Sequence, residues 1–191
     1  STAISSYEAA FNQDLNGDDY IGANLGSLTD VATESGYSGY KLKVDSNEGS
    51  LFIWDGSDTS TTVQITDEYG GAPSYNYSYG NPGDDFYYSS AATAVYRDTS
   101  NSSDIHYKVA IKYIDSFVDY QGNREENISW EILKVSTQGV IDYQNTIYTD
   151  SITSLEDEFG QDLNNDGSKT GQVSLANRST DTPSSGNAGL A

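Results

Sequence analysis

The 191-residue chain contains no cysteine and no methionine, and it has only three prolines and one histidine. Without cysteine it can form neither disulfides nor a thiol-based active site. The scarcity of sulfur and imidazole ligands also argues against zinc and copper sites. No stretch approaches the ~18 consecutive apolar residues that a membrane-spanning helix needs. The sequence therefore predicts neither a disulfide scaffold nor membrane insertion.

Positive charge is scarce as well. Nine basic residues stand against 29 acidic ones, which gives a formal net charge of −20. This balance excludes nucleic acid as a natural partner and disfavours anionic membrane surfaces. It also makes the chain repel itself, and bound divalent cations would relieve that repulsion. Such an acidic chain suits a salty or calcium-rich exterior, although solubility alone is the simpler explanation.

Familiar catalytic motifs are missing. The sequence has no Gly-x-Ser-x-Gly, no Cys/His pair and no phosphate-binding loop. The acidic pairs at 84–85 and 125–126 could serve glycoside hydrolysis, but both fall in predicted polar turns, where carboxylates are normally solvated. His106 follows Asp104 on the polar side of a predicted strand, so we expect a surface residue. The sequence predicts a protein that is not an enzyme.

An acidic motif occurs near both ends of the chain, at an offset of 148 residues from Asp14 to Asp162. Each copy contains Glu, Phe and Asp at steps of three residues, followed by Leu-Asn-x-Asp. A chain that ends in the pattern with which it began is typical of one unit from a tandem array. We expect residues 1–22 to close a preceding repeat, residues 23–171 to form one repeat, and residues 172–191 to begin the next, as a flexible segment.

The motif has the ligand pattern of a cation-binding loop. Asp-x-Asn-x-Asp supplies oxygen-bearing side chains at positions 1, 3 and 5 of an EF-hand loop, where position 6 is a turn glycine and position 7 offers a carbonyl. Position 6 is Gly167 in the second copy but Asp19 in the first. Neither copy has an acid at position 12, where Leu25 and Val173 stand, so further ligands must come from elsewhere.

Hard oxygen ligands favour Ca²⁺. An Asx-rich surface turn without metal is the alternative, but two corresponding copies favour calcium. The predicted metal ligands are Asp14, Asn16, Asp18, Tyr20, Asp162, Asn164, Asp166 and Ser168.

Two further residues recur in both copies. Glu8 and Glu156 could reach a calcium ion, but six helical residues rise roughly 9 Å, so we expect both on a solvated helix surface. Phe11 and Phe159 are expected to anchor their helices to a sheet.

The rest of the pattern predicts a mainly β fold, an antiparallel sandwich or roll with a short helix and a calcium loop at each end. Helices are predicted over 3–13 and 151–160, a long ordered loop or irregular hairpin over 68–90, and a polar turn over 119–127. Predicted strands cover 40–44, 50–54, 62–66, 92–97, 104–114, 128–135 and 140–143.

Aromatic residues suggest an alternative function. Tyr75, Tyr77 and Tyr79 alternate, which would place three rings on one face of an extended segment. Together with Trp54 they could stack on sugar rings, so a carbohydrate-binding module is the second hypothesis. Aromatic residues in β proteins, however, are more often core residues or cross-strand pairs.

Four phrases together resemble a known group of repeats. They begin at Phe11 (FNQDLNGD), Thr66 (TDEYGGAPSY), Ile128 (ISWEILKVS) and Phe159 (FGQDLNNDG). They look like the tandem repeats of giant calcium-binding surface proteins of cyanobacteria and other aquatic bacteria, which resemble the RTX haemolysin-type and adhesin group. The resemblance covers roughly residues 4–182. It implies a non-enzymatic extracellular repeat, exported by a type I-like route, that contacts neighbouring repeats and binds Ca²⁺ through both acidic loops. Surface glycans are a further partner in the alternative hypothesis.

Overall fold

The computed structural model describes residues 11, 13, 15, 28–31, 39–46, 49–55 and 62–169. They form two antiparallel sheets, and within each sheet every strand is hydrogen-bonded to the next in sequence. The four-stranded sheet consists of β1 (Leu28–Asp30), β2 (Lys41–Asp45), β3 (Leu51–Trp54) and β4 (Val63–Gln64). The five-stranded sheet consists of β5 (Tyr77–Tyr79), β6 (Phe86–Asp98), β7 (His106–Val118), β8 (Arg124–Ser136) and β9 (Ile141–Thr149).

The two sheets pack against each other, as the sequence pattern predicts for a β-sandwich. Apolar residues that alternate along β7, such as Val109 and Ile111, are completely buried. They meet Leu42, Leu51 and Ile53 of the four-stranded sheet in one core cluster. This face of the five-stranded sheet is called the inner face below.

A second core lies on the opposite, outer face of the five-stranded sheet. There Ala110 and Trp130 are buried beneath Ile152 and Phe159, the last residue of the short helix α1 (Glu156–Phe159). The segment after β9 therefore folds back and covers the outer face, which gives the sheet apolar contacts on both sides.

One bridge ties the short sheet to the long one. Thr66, just after β4, pairs in parallel with Val140 before β9. The N–H of Thr66 donates to the carbonyl of Gly139 at 2.9 Å, and the N–H of Ile141 donates to the carbonyl of Thr66 at 2.8 Å. Gly139 has a φ of 91°, a value that favours glycine.

The sequence missed the length of the central strands. Within residues 68–90, β5 pairs with the start of β6, which is the hairpin that the sequence pattern left as one of two possibilities. The prediction began β6 six residues late, and Glu125 and Glu126 belong to β8 instead of a polar turn. The turn is shorter because the Oδ1 of Asp119 accepts the N–H groups of Gln121 and Asn123, both at 2.8 Å. This Asx-type turn closes the β7–β8 hairpin tightly, so the flanking residues stay paired.

Candidate metal site

The second acidic motif follows a chain reversal at the end of α1. The helix is four residues long and ends at Gly160, which has a φ of 64° and donates its N–H to the carbonyl of Glu156. A left-handed glycine of this kind is a common helix terminator. Because the chain turns back here, the residues from Asp162 onward return beside Glu156.

Glu156 is fully buried, with 0% exposure. Its Oε1 accepts the N–H groups of Leu163 and Asn164, at 2.7 and 2.9 Å. The expectation of a solvated Glu156 was wrong, because it assumed a helix that continues straight towards the acidic loop. The reversal at Gly160 removes that separation, and Glu156 holds the loop from inside.

Hydrogen bonds within the loop fix its three Asx side chains. Asp162 accepts the N–H of Asp166 through Oδ1 at 3.1 Å and the N–H of Gly167 through Oδ2 at 2.9 Å. The Oδ1 of Asn164 accepts the N–H of Asp166 at 2.8 Å. Gly167 has a φ of 85°, as predicted for position 6 of the loop. These bonds give the loop its turn geometry without a metal.

Three carboxylates converge at this loop. One oxygen each from Glu156, Asp162 and Asp166 lies within 4.8 Å of the other two. Ca²⁺ binds oxygen at about 2.3–2.6 Å. A single ion between two carboxylates can therefore contact oxygens that lie up to 4.8 Å apart. The Oε2 of Glu156 is buried and has no hydrogen-bond partner among the described residues. A buried carboxylate oxygen without a partner costs folding free energy, and a bound cation would remove that cost.

The other predicted ligands of this loop lie around the cluster. The amide nitrogen of Asn164 donates to the Oγ1 of Thr153 at 2.9 Å and to the Oδ2 of Asp166 at 3.1 Å. Ser168 donates its backbone N–H to the Oδ1 of Asp166 at 2.8 Å. Asn164 and Ser168 thus lie in the loop, although the three converging carboxylates include neither.

The loop is attached to the sheet through α1. Phe159 is buried and packs edge-to-face against Tyr96, with 6.4 Å between the ring centroids. The Nζ of Lys108 on β7 lies 2.6 Å from the Oε2 of Glu158 and 3.2 Å from the Oδ2 of Asp98. Phe159 is thus the predicted anchor, and it couples the candidate site to the outer-face core.

The first acidic motif lies almost entirely outside the described residues. This holds for Asp14, Asn16, Asp18, Tyr20 and Glu8.

Phe11 is described, and its exposure is 64%. The expectation that Phe11 anchors a helix to the sheet was therefore wrong for this chain. Phe159 already fills the corresponding position on the outer face.

The predicted aromatic set is divided among different places. Trp54 is half-buried on β3, and the Nζ of Lys43 lies 4.4 Å from the centroid of its ring. Tyr75 is half-buried against the inner core, where burial raises the pKa of its hydroxyl. Tyr77 and Tyr79 are exposed on β5, an edge strand of the five-stranded sheet. Trp54 belongs to the four-stranded sheet, so the predicted set is divided between the two sheets.

The buried role of Glu156 is what sequence reasoning missed. Its place in both copies of the motif, three residues before the phenylalanine, marked it for attention. Glu156 is buried because the chain reverses at Gly160, only one helical turn after it. The prediction assumed that the helix continues past this glycine.

Comparison with known proteins gives no assignment. No family model, no curated protein and no solved structure matches the chain. Among the residues described, no helix is both long and apolar enough to cross a membrane.

Proposed function

We propose that this chain is a non-enzymatic calcium-binding β repeat of a large secreted or cell-surface protein, in which Ca²⁺ rigidifies the junction between repeats. The observation that carries the proposal is the convergence of Glu156, Asp162 and Asp166, with the Oε2 of Glu156 buried and unpartnered in the described part of the chain.

Electrostatics supports a cation at this position. Three carboxylates that lie this close repel one another, and a divalent ion converts the repulsion into coordination. Because the ligands come together only in the folded chain, the free energy of ion binding adds to the stability of the fold. Extracellular calcium modules work at roughly 10⁻⁴–10⁻³ M Ca²⁺, so the site would fill outside the cell and stay empty in the cytosol.

The position of the loop explains how calcium would act on a junction. The loop follows α1, which lies on the outer face after the last strand of the sandwich. An ion held by Glu156 would fix the direction in which the chain leaves the outer face. In an array, that direction sets the orientation of the next repeat.

Calorimetry on two matched variants tests the proposal. Glu156→Gln keeps an oxygen for the N–H groups of Leu163 and Asn164 but removes the charge that would meet the ion. Glu158→Gln removes a carboxylate from the same helix that points instead to Lys108. We expect calcium titration to show millimolar or tighter binding in the parent protein, at least tenfold weaker binding in Glu156→Gln, and little change in Glu158→Gln.

Thermal melts provide a second measurement. Millimolar CaCl₂ should raise the Tm of the parent protein relative to chelator and relative to NaCl of equal ionic strength. An identical Tm in both salts, or equal calcium affinity in both glutamine variants, would contradict the proposal.

A further inference from the structure

The inner face of the five-stranded sheet is longer than the sheet that covers it. Strands β6, β7 and β8 contain 13 residues each, or roughly 40 Å at the usual rise of a strand. The strands of the four-stranded sheet contain two to five residues, at most roughly 17 Å. The shared core therefore occupies one end of the long sheet, around Val95, Val109 and Leu133.

The strand register shows which side chains occupy the other end. Ile111 is in the inner core, so Tyr113, Asp115 and Phe117, at successive steps of two, point to the same side. Their cross-strand partners share that side. The resulting set, called the tyrosine face here, is Tyr77, Tyr79, Phe86, Tyr88, Ser90, Tyr113, Asp115, Phe117, Glu125, Asn127 and Ser129.

The aromatic members of the tyrosine face form a connected array. Ring centroids are separated by 5.9 Å between Tyr79 and Phe86, 6.4 Å between Tyr77 and Tyr88, and 6.3 Å between Tyr88 and Tyr113. Tyr77, Tyr79 and Phe86 remain 55%, 60% and 49% exposed. Adjacent exposed rings of this kind are typical of an interaction surface in a soluble protein.

Polar groups continue the array across the sheet. One row of cross-strand neighbours runs from Tyr79 and Tyr88 on β5 and β6 to Asp115 and Asn127 on β7 and β8. At about 4.8 Å per strand this row spans roughly 14 Å. Aromatic faces at one end and carboxylate and amide groups at the other suit a ligand with both C–H faces and hydroxyl groups.

A buried carboxylate supports the border of the face. The Oε2 of Glu131 accepts the hydroxyl of Tyr113 at 2.5 Å, and its Oε1 accepts the hydroxyl of Tyr148 at 2.9 Å. Glu131 is 5% exposed. These bonds hold the Tyr113 ring, which contacts Tyr88, so part of the array is fixed before any ligand arrives. Such preorganisation lowers the cost of binding.

Charge narrows the choice of ligand. The tyrosine face contains two carboxylates and no lysine or arginine, which excludes an anionic ligand, and its other polar members, Ser90, Asn127 and Ser129, are neutral. A second copy of the chain is disfavoured because each copy carries a net charge of −20. From these observations we infer that the tyrosine face binds a neutral oligosaccharide, with sugar rings against the aromatic residues and sugar hydroxyls donating to Asp115 and Asn127.

Native affinity electrophoresis tests this inference on the full chain in saturating Ca²⁺. Neutral polysaccharides in the gel (hydroxyethylcellulose, galactomannan and dextran) slow a bound protein without changing its charge. The test variant is Tyr77→Ala/Tyr79→Ala. The control is Tyr69→Ala/Tyr120→Ala, which also removes two exposed tyrosines, 81% and 96% exposed, from outside the face.

We expect at least one polysaccharide to retard the parent protein and the control equally, with at least tenfold weaker binding in the test variant. Asn127→Ala, at the polar end of the row, should also weaken binding. Circular dichroism checks that the variants fold.

Two results would overturn the inference: no retardation of the parent protein by any of the three polysaccharides, or equal loss of retardation in the test and control variants. Because the assay keeps calcium saturating and reads only sugar binding, its failure leaves the calcium proposal untouched.

Discussion

At the scale of single residues, Asp98 shows how neighbouring groups stabilise a carboxylate. The Oδ1 of Asp98 at the end of β6 accepts the N–H and the hydroxyl of Ser100, at 2.9 and 2.6 Å, and its Oδ2 lies 3.2 Å from the Nζ of Lys108. The bonds from Ser100, followed by the lysine, hold the pKa of Asp98 well below its usual range. His106 is half-buried beside it, with Nε2 at 3.8 Å from Oδ2.

Replacing Asp98 with Asn should therefore have a pH-dependent effect on stability. A carboxyl whose pKa is lower in the folded than in the unfolded state stabilises the fold above the unfolded pKa of about 3.9, and that contribution is lost as pH falls through the folded pKa. We expect Asp98→Asn to cost about 2 kcal/mol at pH 7, in the range for hydrogen bonds to charged groups.

The difference in unfolding free energy from the parent should shrink as pH falls from about 5 towards 2. Urea denaturation at several pH values measures it, with Asp150→Asn, an exposed carboxylate, as the control. A difference that stays constant over this range would contradict the assigned role of the charge.

At the scale of the strands and sheets, the fold depends on the backbone conformation of a few turns. Gly139 lies between β8 and β9, and a Cβ built there would lie 1.9 Å from the carbonyl oxygen of Gln64. That carbonyl belongs to β4, so the close approach occurs where the two sheets meet. Gly122 in the β7–β8 turn also has a positive φ, 83°, but a Cβ there would meet nothing within 4 Å.

The two glycines make a matched pair. Gly122→Ala should cost about 1–2 kcal/mol, because only the left-handed backbone is penalised. Gly139→Ala should cost more, at least about 3 kcal/mol, since the bridge between Thr66 and Val140 must also shift. Urea unfolding of both variants measures this, and equal losses would show that the close approach at Gly139 is relieved without cost.

Local pattern accounts for most of these elements. Alternation predicted β2, β3 and the centres of β6, β7 and β8, because one side of each strand is buried in the core. It missed β1, which is three residues long and largely exposed, so no apolar period marks it. It indicated β5 only through the alternating tyrosines of a predicted loop or irregular hairpin. The tyrosine face was missed for a related reason, since cross-strand register brings its rows together and sequence spacing does not show it.

At the scale of the whole molecule, the proposed array depends on the two acidic motifs. They recur at an offset of 148 residues, and the second motif lies against the outer face through Phe159. In an array, the first motif of one unit would take the same place on the unit before it.

A two-unit protein tests whether calcium stiffens the junction. Joining residues 1–169 directly to residues 22–191 preserves the offset, because residue 170 corresponds to residue 22. Because the ion would fix the direction in which the chain leaves the first unit, small-angle scattering in 5 mM CaCl₂ should indicate one extended orientation of the two units. With chelator it should indicate a broad distribution of shapes. Glu156→Gln in the first unit should behave like the chelated protein, and Glu158→Gln like the parent. Identical scattering with calcium and with chelator would mean that the ion, wherever it binds, leaves the junction free to bend.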